Sequence, residues 1–498
     1  MRPTPDQPAA TNPPADRASR PAASRTAARI ASDLGEATLG PLDGRYRPAV
    51  QGLLEHLSEP ALNRERLRIE VAWLLHLTKR QVLPGVRRLS DDEVQRLHDI
   101  AADFNADTVL RLREIERVTV HDVKAVEYLL KERMAGTTLA DVEEVVHFAC
   151  TSEDVNNLAY ARLVQRAIRE VWLPAATALA DQVAAMARQY RSVPMLSRTH
   201  GQPATPTTMG KELAVLAHRL RRQLDGVSRA EYLGKMNGAT GTYAAHVAAA
   251  PDVDWQAVTS DFVEGLGLTW NPLTTQIESH DWQAELYADV QRFNRVLHNL
   301  CTDAWTYISQ GYFTQVAPAG SIGSSTMPHK VNPIRFENAE ANLELSDALL
   351  EVLQRTLVTS RLQRDLTDST MQRNIGVALG HSLLAVDNAA RGLTSLDVDT
   401  AVLDADLEHS WEVLGEAVQT VMRLHGLDNP YERLKELTRG RRVDAAAMAD
   451  FVHGLGLPTD VTDRLLALTP QSYTGIADEL VDHLLPAGHH EDGMDDLL

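Results

Sequence analysis

Gly323-Ser324-Ser325-Thr326-Met327-Pro328-His329-Lys330-Val331-Asn332-Pro333 interrupts a chain that is otherwise helical in pattern. Upstream, Trp282, Leu286, Val290, Phe293, Leu297, Leu300 and Ile308 recur with a period near 3.6. Downstream, Leu343, Leu345, Leu349, Leu350 and Leu353 do the same. The segment therefore reads as a loop between two long helices. Its glycine and serines make it pliable, and Pro328 and Pro333 bracket it, which suits a loop that closes over a ligand. Successive backbone N–H groups together with Lys330 suit a carboxylate. A serine in this loop acts as a base only if the same donors stabilise its alkoxide.

Two more stripes extend the helical pattern on either side. Leu163, Ala167, Val171, Ala175, Leu179, Val183 and Met186 form one, with Pro174 predicted as a kink or a helix start. Leu379, Leu383, Val386 and Ala390 form the other. Few runs alternate with period 2, and aromatic residues are only 5% of the chain, so strands are not expected. The expected fold is all-α, with three domains around a central bundle of long helices. The expected divisions are a disordered tail at 1–34, a helical domain at 35–140, the bundle at 141–393, a C-terminal helical domain at 394–485 and a polar tail at 486–498. The first tail is rich in Pro, Ala and Arg. Its prolines oppose the amphipathic helix of a transit peptide, and it has no apolar core of a secretory signal.

Composition excludes several functions. The net charge is −19, which opposes nucleic-acid and anionic-membrane binding. No apolar run approaches the roughly 20 residues of a membrane span. Cys150 and Cys301 are the only cysteines, so a disulfide framework and a CxxC metal pair are both ruled out, and a reducing cytoplasm fits. The sequence has no P-loop, no complete dinucleotide-binding glycine motif, no HExxH and no GxSxG. Metal and nucleotide-loop chemistry is therefore not expected.

Other short polar stretches stand between or at the ends of the stripes. They are Leu42-Asp43-Gly44-Arg45-Tyr46, His121-Asp122-Val123-Lys124, Thr151-Ser152-Glu153-Asp154, Thr199-His200-Gly201-Gln202-Pro203-Ala204-Thr205 and Arg364-Asp365-Leu366-Thr367-Asp368-Ser369 with Arg373. Each alone is explained by helix capping and turns.

The 323–333 segment resembles the signature of the fumarase/aspartase superfamily, whose members eliminate fumarate from a substituted succinate. The 151–154 and 199–205 stretches are similar to its other two polar loops. Within the superfamily, the chain resembles the adenylosuccinate lyases of the longer bacterial type. The match rests on Pro41–Tyr46, His121–Tyr128, Thr275–Glu278 and Gln363–Ser369, and it runs from about residue 38 to 485. The resemblance implies β-elimination of fumarate from adenylosuccinate, giving AMP, and from the succinylated aminoimidazole carboxamide ribotide. It also implies a homotetramer with active sites shared between subunits, and no metal or organic cofactor. The sequence alternatives are another fumarate-releasing lyase of the superfamily or a non-catalytic helical relative.

By the same resemblance Ser324 is the candidate general base, with Ser325 as the adjacent alternative, and His200 is the candidate general acid. Lys330 and Asn332 would bind the succinyl carboxylates, helped by Thr151, Ser152 and Gln276. Arg45 and Tyr46 would reach the phosphate, with Arg364, Ser369 and Arg373 holding the nucleotide. His121 and Asp122 would sit nearby, and Asn338 is a further contact. Two departures accompany the match: Val120 precedes His121 where relatives often carry a polar residue, and Ser279 stands where they commonly show Pro.

Overall fold

The computed structural model describes residues 38–316, 327, 330–438 and 443–484. It divides into two compact units, Met1–Pro48 and Ala49–Leu498. In the first, the N–H groups of Gly44 and Tyr46 both reach the Pro41 carbonyl, and the Arg45 guanidinium lies 5.8 Å from the centre of the Tyr46 ring. Helix α1 (Arg47–Leu57) runs on from this turn.

The second unit takes in α1 from Ala49 onward and continues with α2 (Glu59–Arg80), α3 (Asp91–Ala102), α4 (Ala106–Thr119) and α5 (Asp122–Met134). Their starts are written in the sequence. Ser58, Ser90, Asn105 and His121 each cap a helix by accepting a backbone N–H, and Ser90 with Glu93 completes a capping box.

Next comes one continuous rod. Helix α6 (Ser152–Arg166) passes through a π turn at Ala167–Trp172 into α7 (Leu173–Gln189). Pro174 is the second residue of α7, in the first-turn position predicted for a helix start. It lacks an N–H, and the wider π turn just before it accommodates the missing bond. The same turn keeps Ile168, Trp172 and Ala176, spaced by four, on the buried side.

A β-hairpin of β1 (Pro194–Thr199) and β2 (Gln202–Thr208) reverses the chain into α8 (Met209–Ser228). Gly210 is required there, because a side chain would strike the Ala187 carbonyl and the Arg191 backbone. After β3 (Leu233–Gly234), α9 (Ala244–Ala249), α10 (Trp255–Gly265) and β4 (Thr269–Trp270) come the long α11 (Asp281–Ser309) and, past β5 (Phe313–Gln315), α12 (Ile334–Leu357). The short α13 (Thr367–Gln372) leads into α14 (Ile375–Thr394).

Five rods pack in a ring: α7 on α8, α8 on α11, α11 on α12, α12 on α14, and α14 back on α7. Hydrogen bonds set their directions. Arg219 meets Asn299, Asn294 meets Asp347, and Asn342 meets His381, so these neighbours run antiparallel. Trp172 meets Ser382 and Gln182 meets Thr394, so the closing pair is parallel. The predicted stripes supply the core, including Leu286, Val290, Phe293, Leu350, Leu353, Leu379 and Leu383. Leu345 is the exception, 52% exposed on the outer side of α12.

Asp347 is a polar residue within this core. Burial pushes its carboxyl up to about 6, against the pull of Asn294 and Arg295. A pKa raised above the unfolded value means that the folded state binds the proton more tightly. Stability from this group therefore grows as pH falls through 6. Asp347→Asn is expected to raise the unfolding temperature at pH 7.5, by the equivalent of at most about 3 kcal/mol. The gain should shrink by pH 5, which thermal melts at the two pH values will check.

The chain then forms β6 (Leu396–Val398), which pairs antiparallel with β5, and α15 (Thr400–Glu408). Helices α16 (Gly415–Leu424), α17 (Pro430–Thr438), α18 (Ala445–His453), α19 (Thr459–Leu466) and α20 (Ala477–Leu480) follow. Leu414, Val418, Met422, Met448, Val452 and Leu465 form a separate core among them.

Candidate active site

The ring of rods has two ends, and the candidate residues divide between them. At one end α6 starts at Ser152, α11 follows Gln276 and α14 follows Arg373. At the other end lie the β1–β2 hairpin, β5 and the start of α12. The rod from Ser152 to Gln189 is about 55 Å long at about 1.5 Å per residue.

The Thr151 end carries a continuous polar chain. Arg373 and Arg66 both pair with the Asp122 carboxylate, at 3.0 and 2.9 Å. Arg66 also donates to Asn156, which donates to Glu153. Glu153 pairs with Arg364 at 2.9 Å, and Arg364 donates to the Gln276 amide oxygen. Gln276 in turn donates to the Ala239 carbonyl. Burial works to raise the Asp122 carboxyl, but Arg66 and the Val123 N–H outweigh it and hold it below the ordinary value.

His121 stands beside this chain, exposed at the start of α5. Its Nδ1 accepts from the Lys124 N–H, so the proton of the neutral ring is on Nε2, 3.4 Å from the Ser152 hydroxyl. Thr151 caps α6 in a capping box with Asp154. Ser369 is half-buried on α13, beside Arg373 at the helix end.

Asp154 underlies the cluster. Its carboxylate takes backbone N–H groups from Thr151, Asn237 and Gly238 and pairs with the fully buried Lys235 at 2.9 Å. Asp154→Asn leaves the Lys235 charge uncompensated and is expected to cost about 3–5 kcal/mol. Adding Lys235→Met should recover part of that loss, as a denaturant titration of the single and double variants will show.

The opposite end carries His200. His200 and Gly201 both have positive φ, 54° and 73°, between the paired residues Thr199 and Gln202. This is a two-residue hairpin turn of the primed type, and it holds the imidazole exposed at the tip. Arg198 and Tyr312 both bind Asp406 of α15, and Thr205 binds Glu416 of α16, so both strands of the hairpin are fastened. Lys330 is exposed and Asn332 half-buried just before α12. Asn338 accepts from Asn342 within that helix. Ser324 and Ser325 lie outside the described residues, and Arg45 and Tyr46 belong to the first unit.

The structure thus brings His121, Asp122, Thr151, Ser152, Gln276, Arg364 and Arg373 together. It puts His200, Lys330, Asn332 and Asn338 at the far end of the rods. Sequence reading took Glu153 and Asp154 only as part of the 151–154 stretch, without roles, and passed over Arg66 and Lys235. Arg66 carried a signal, because it falls on the apolar face of α2 near Leu62, Ile69 and Trp73, where a charge needs a partner. Among the described residues no cluster of His, Cys, Asp and Glu is arranged to hold a metal ion.

A family model described as Lyase matches residues 44–344, and one described as Adenylosuccinate lyase C-terminal matches residues 360–474. The chain is 50% identical over 447 residues to an adenylosuccinate lyase from Escherichia coli strain K12, covering 90% of this chain and 98% of the relative. It is 49% identical over 448 residues to one from Vibrio cholerae, with the same coverages. Its fold is similar to that of a fumarate lyase from Mesorhizobium sp. BNC1 (TM-score 0.70, 19% identity, 87% of this chain and 97% of that one). It is also similar to a 3-carboxy-cis,cis-muconate lactonizing enzyme from Pseudomonas putida (TM-score 0.68, 21% identity, 88% and 96%).

Proposed function

The chain belongs to the adenylosuccinate lyase family, and from that premise we propose that it splits adenylosuccinate into AMP and fumarate. We propose the same elimination for the succinylated aminoimidazole carboxamide ribotide, which places the enzyme in purine biosynthesis. The observation that carries this reading is the polar chain from Arg373 to Gln276, with Arg364 and His121 beside it. It assembles cations and amides suited to a phosphate and carboxylates on a chain of net charge −19.

The reaction breaks a C–N bond. Ser324 takes the proton from the carbon next to a succinyl carboxylate, with Ser325 the alternative, and the electron pair moves into that carboxylate. Lys330 and Asn332, with Thr151, Ser152 and Gln276, stabilise the added charge, which is greatest in the transition state. The pair then forms the C=C bond as the C–N bond breaks. His200 delivers a proton to the departing nitrogen. Arg45, Tyr46, Arg364, Ser369, Arg373 and His121 hold the phosphate and nucleotide, with Asp122 orienting the arginines and Asn338 a further contact.

His200 follows the far end of a rod of about 55 Å that starts next to Thr151. This supports a homotetramer in which each active site draws on several subunits. The three helical domains 35–140, 141–393 and 394–485 belong to the same reading. Among the described residues no helix is long and apolar enough to cross a membrane, and both cysteines are free. A cytoplasmic enzyme fits the latter.

The test is an ultraviolet absorbance assay of the purified protein with adenylosuccinate. Formation of AMP and fumarate is expected. Turnover of argininosuccinate or malate in its place would overturn the assignment.

A further inference from the structure

His280 is a buried histidine that the proposed chemistry leaves unused. It is 1% exposed, and it ends the segment that carries Gln276 by capping α11. Its backbone is left-handed, with φ 62° and ψ 13°. A non-glycine residue in that region carries strain, which persists where the surroundings require that side chain. Its N–H donates to Glu278, whose other oxygen accepts from Asn271, so the strained turn is held from behind.

The ring is held at both nitrogens. The Tyr287 hydroxyl donates to the Gln283 amide oxygen, which turns the Gln283 NH₂ toward Nδ1 at 3.5 Å. Nε2 faces α13: the Asp368 carboxylate is at 3.5 Å and the Gln372 amide nitrogen at 3.2 Å. Asp368 and Gln372 are four residues apart and both buried, so His280 grips one face of this single helical turn. Ser369 and Arg373 follow one residue later, on the adjacent face, where Arg373 reaches Asp122. Four residues before His280, Gln276 binds Gln363 through its backbone and Arg364 through its side chain. The two segments are therefore pinned at two points, and His280 is the second.

We propose that His280 is a positioning residue that sets the orientation of α13 and thereby aims Ser369 and Arg373 at the phosphate end of the substrate. This rests on the proposed function, in which those two residues hold that end. A displaced clamp weakens phosphate binding and leaves the elimination chemistry, at the succinyl end, unchanged.

The test is steady-state kinetics of full-length His280→Asn and Asp368→Asn. Asparagine tolerates the left-handed backbone but cannot reach Asp368. The substrates are adenylosuccinate and succinyladenosine, the same molecule without its phosphate. For adenylosuccinate, KM is expected to rise at least about tenfold with kcat within about threefold. For succinyladenosine, kcat/KM should stay within about twofold of wild type. A fall in kcat with KM unchanged overturns the proposal, as does an equal loss on both substrates. If His280→Asn does not fold, Asp368→Asn carries the test. If the wild type turns over neither substrate, the proposed function fails and calorimetry with AMP decides the clamp. About tenfold weaker binding in the variants supports it, and equal affinity overturns it.

Discussion

Replacing His200 by Asn is expected to lower kcat by about 10²–10⁴-fold, the range for loss of a general acid. The unfolding temperature should stay within about 2 °C of wild type, because a change at an exposed position is worth only a few tenths of a kcal/mol. The imidazole sits exposed at the tip of a two-residue turn. Asparagine accepts the positive φ that alanine resists, so this variant separates chemistry from turn strain. His200→Ala should lose as much activity and some stability as well. A variant that keeps more than about a tenth of wild-type kcat would remove His200 from the acid's role.

The helices were legible because their faces are consistently patterned. Trp282, Leu286, Val290, Phe293 and Leu297 repeat at helical spacing and are all buried in α11. Leu345 follows the same pattern but lies outside, because a leucine two residues from Leu343 points to another side of a helix. Pro174 was legible as a helix start, because a residue without an N–H fits the first turn, where it now stands in α7. The π turn before it was not, and nothing in Ala167–Trp172 announces one.

The site was legible as a set of motifs but not as a place. Polar residues among capping positions mark where helices begin, and His121 and Thr151 do both jobs. The residues that join the motifs are of a different kind. Arg66 lies on an otherwise apolar helix, and its partners Asn156 and Asp122 come from α6 and α5. Such pairs are set by tertiary packing, which one sequence does not display. The same holds for Lys235, whose buried charge is explained only once Asp154 is beside it.

The second large effect follows from the separation of the two ends. His121→Ala is expected to be nearly inactive at substrate concentrations well below its raised KM, since it removes a phosphate-end contact beside the Asp122 and Ser152 cluster. His200→Asn is expected to be nearly inactive for a different reason, at the far end of the rods. If each active site takes its imidazole acid from one subunit and its His121 from another, the two defects are complementary. Mixed tetramers will then contain sites built from two sound parts. Random assortment at equal amounts gives about one such site in four. Refolding the two variants together should therefore restore about a quarter of wild-type activity, against almost none for either alone. Differently tagged variants allow mixed tetramers to be isolated, so that failure to mix is not mistaken for failure to complement. Isolated mixed tetramers without activity would mean that acid and cluster act within one chain. That outcome would overturn the shared-site reading.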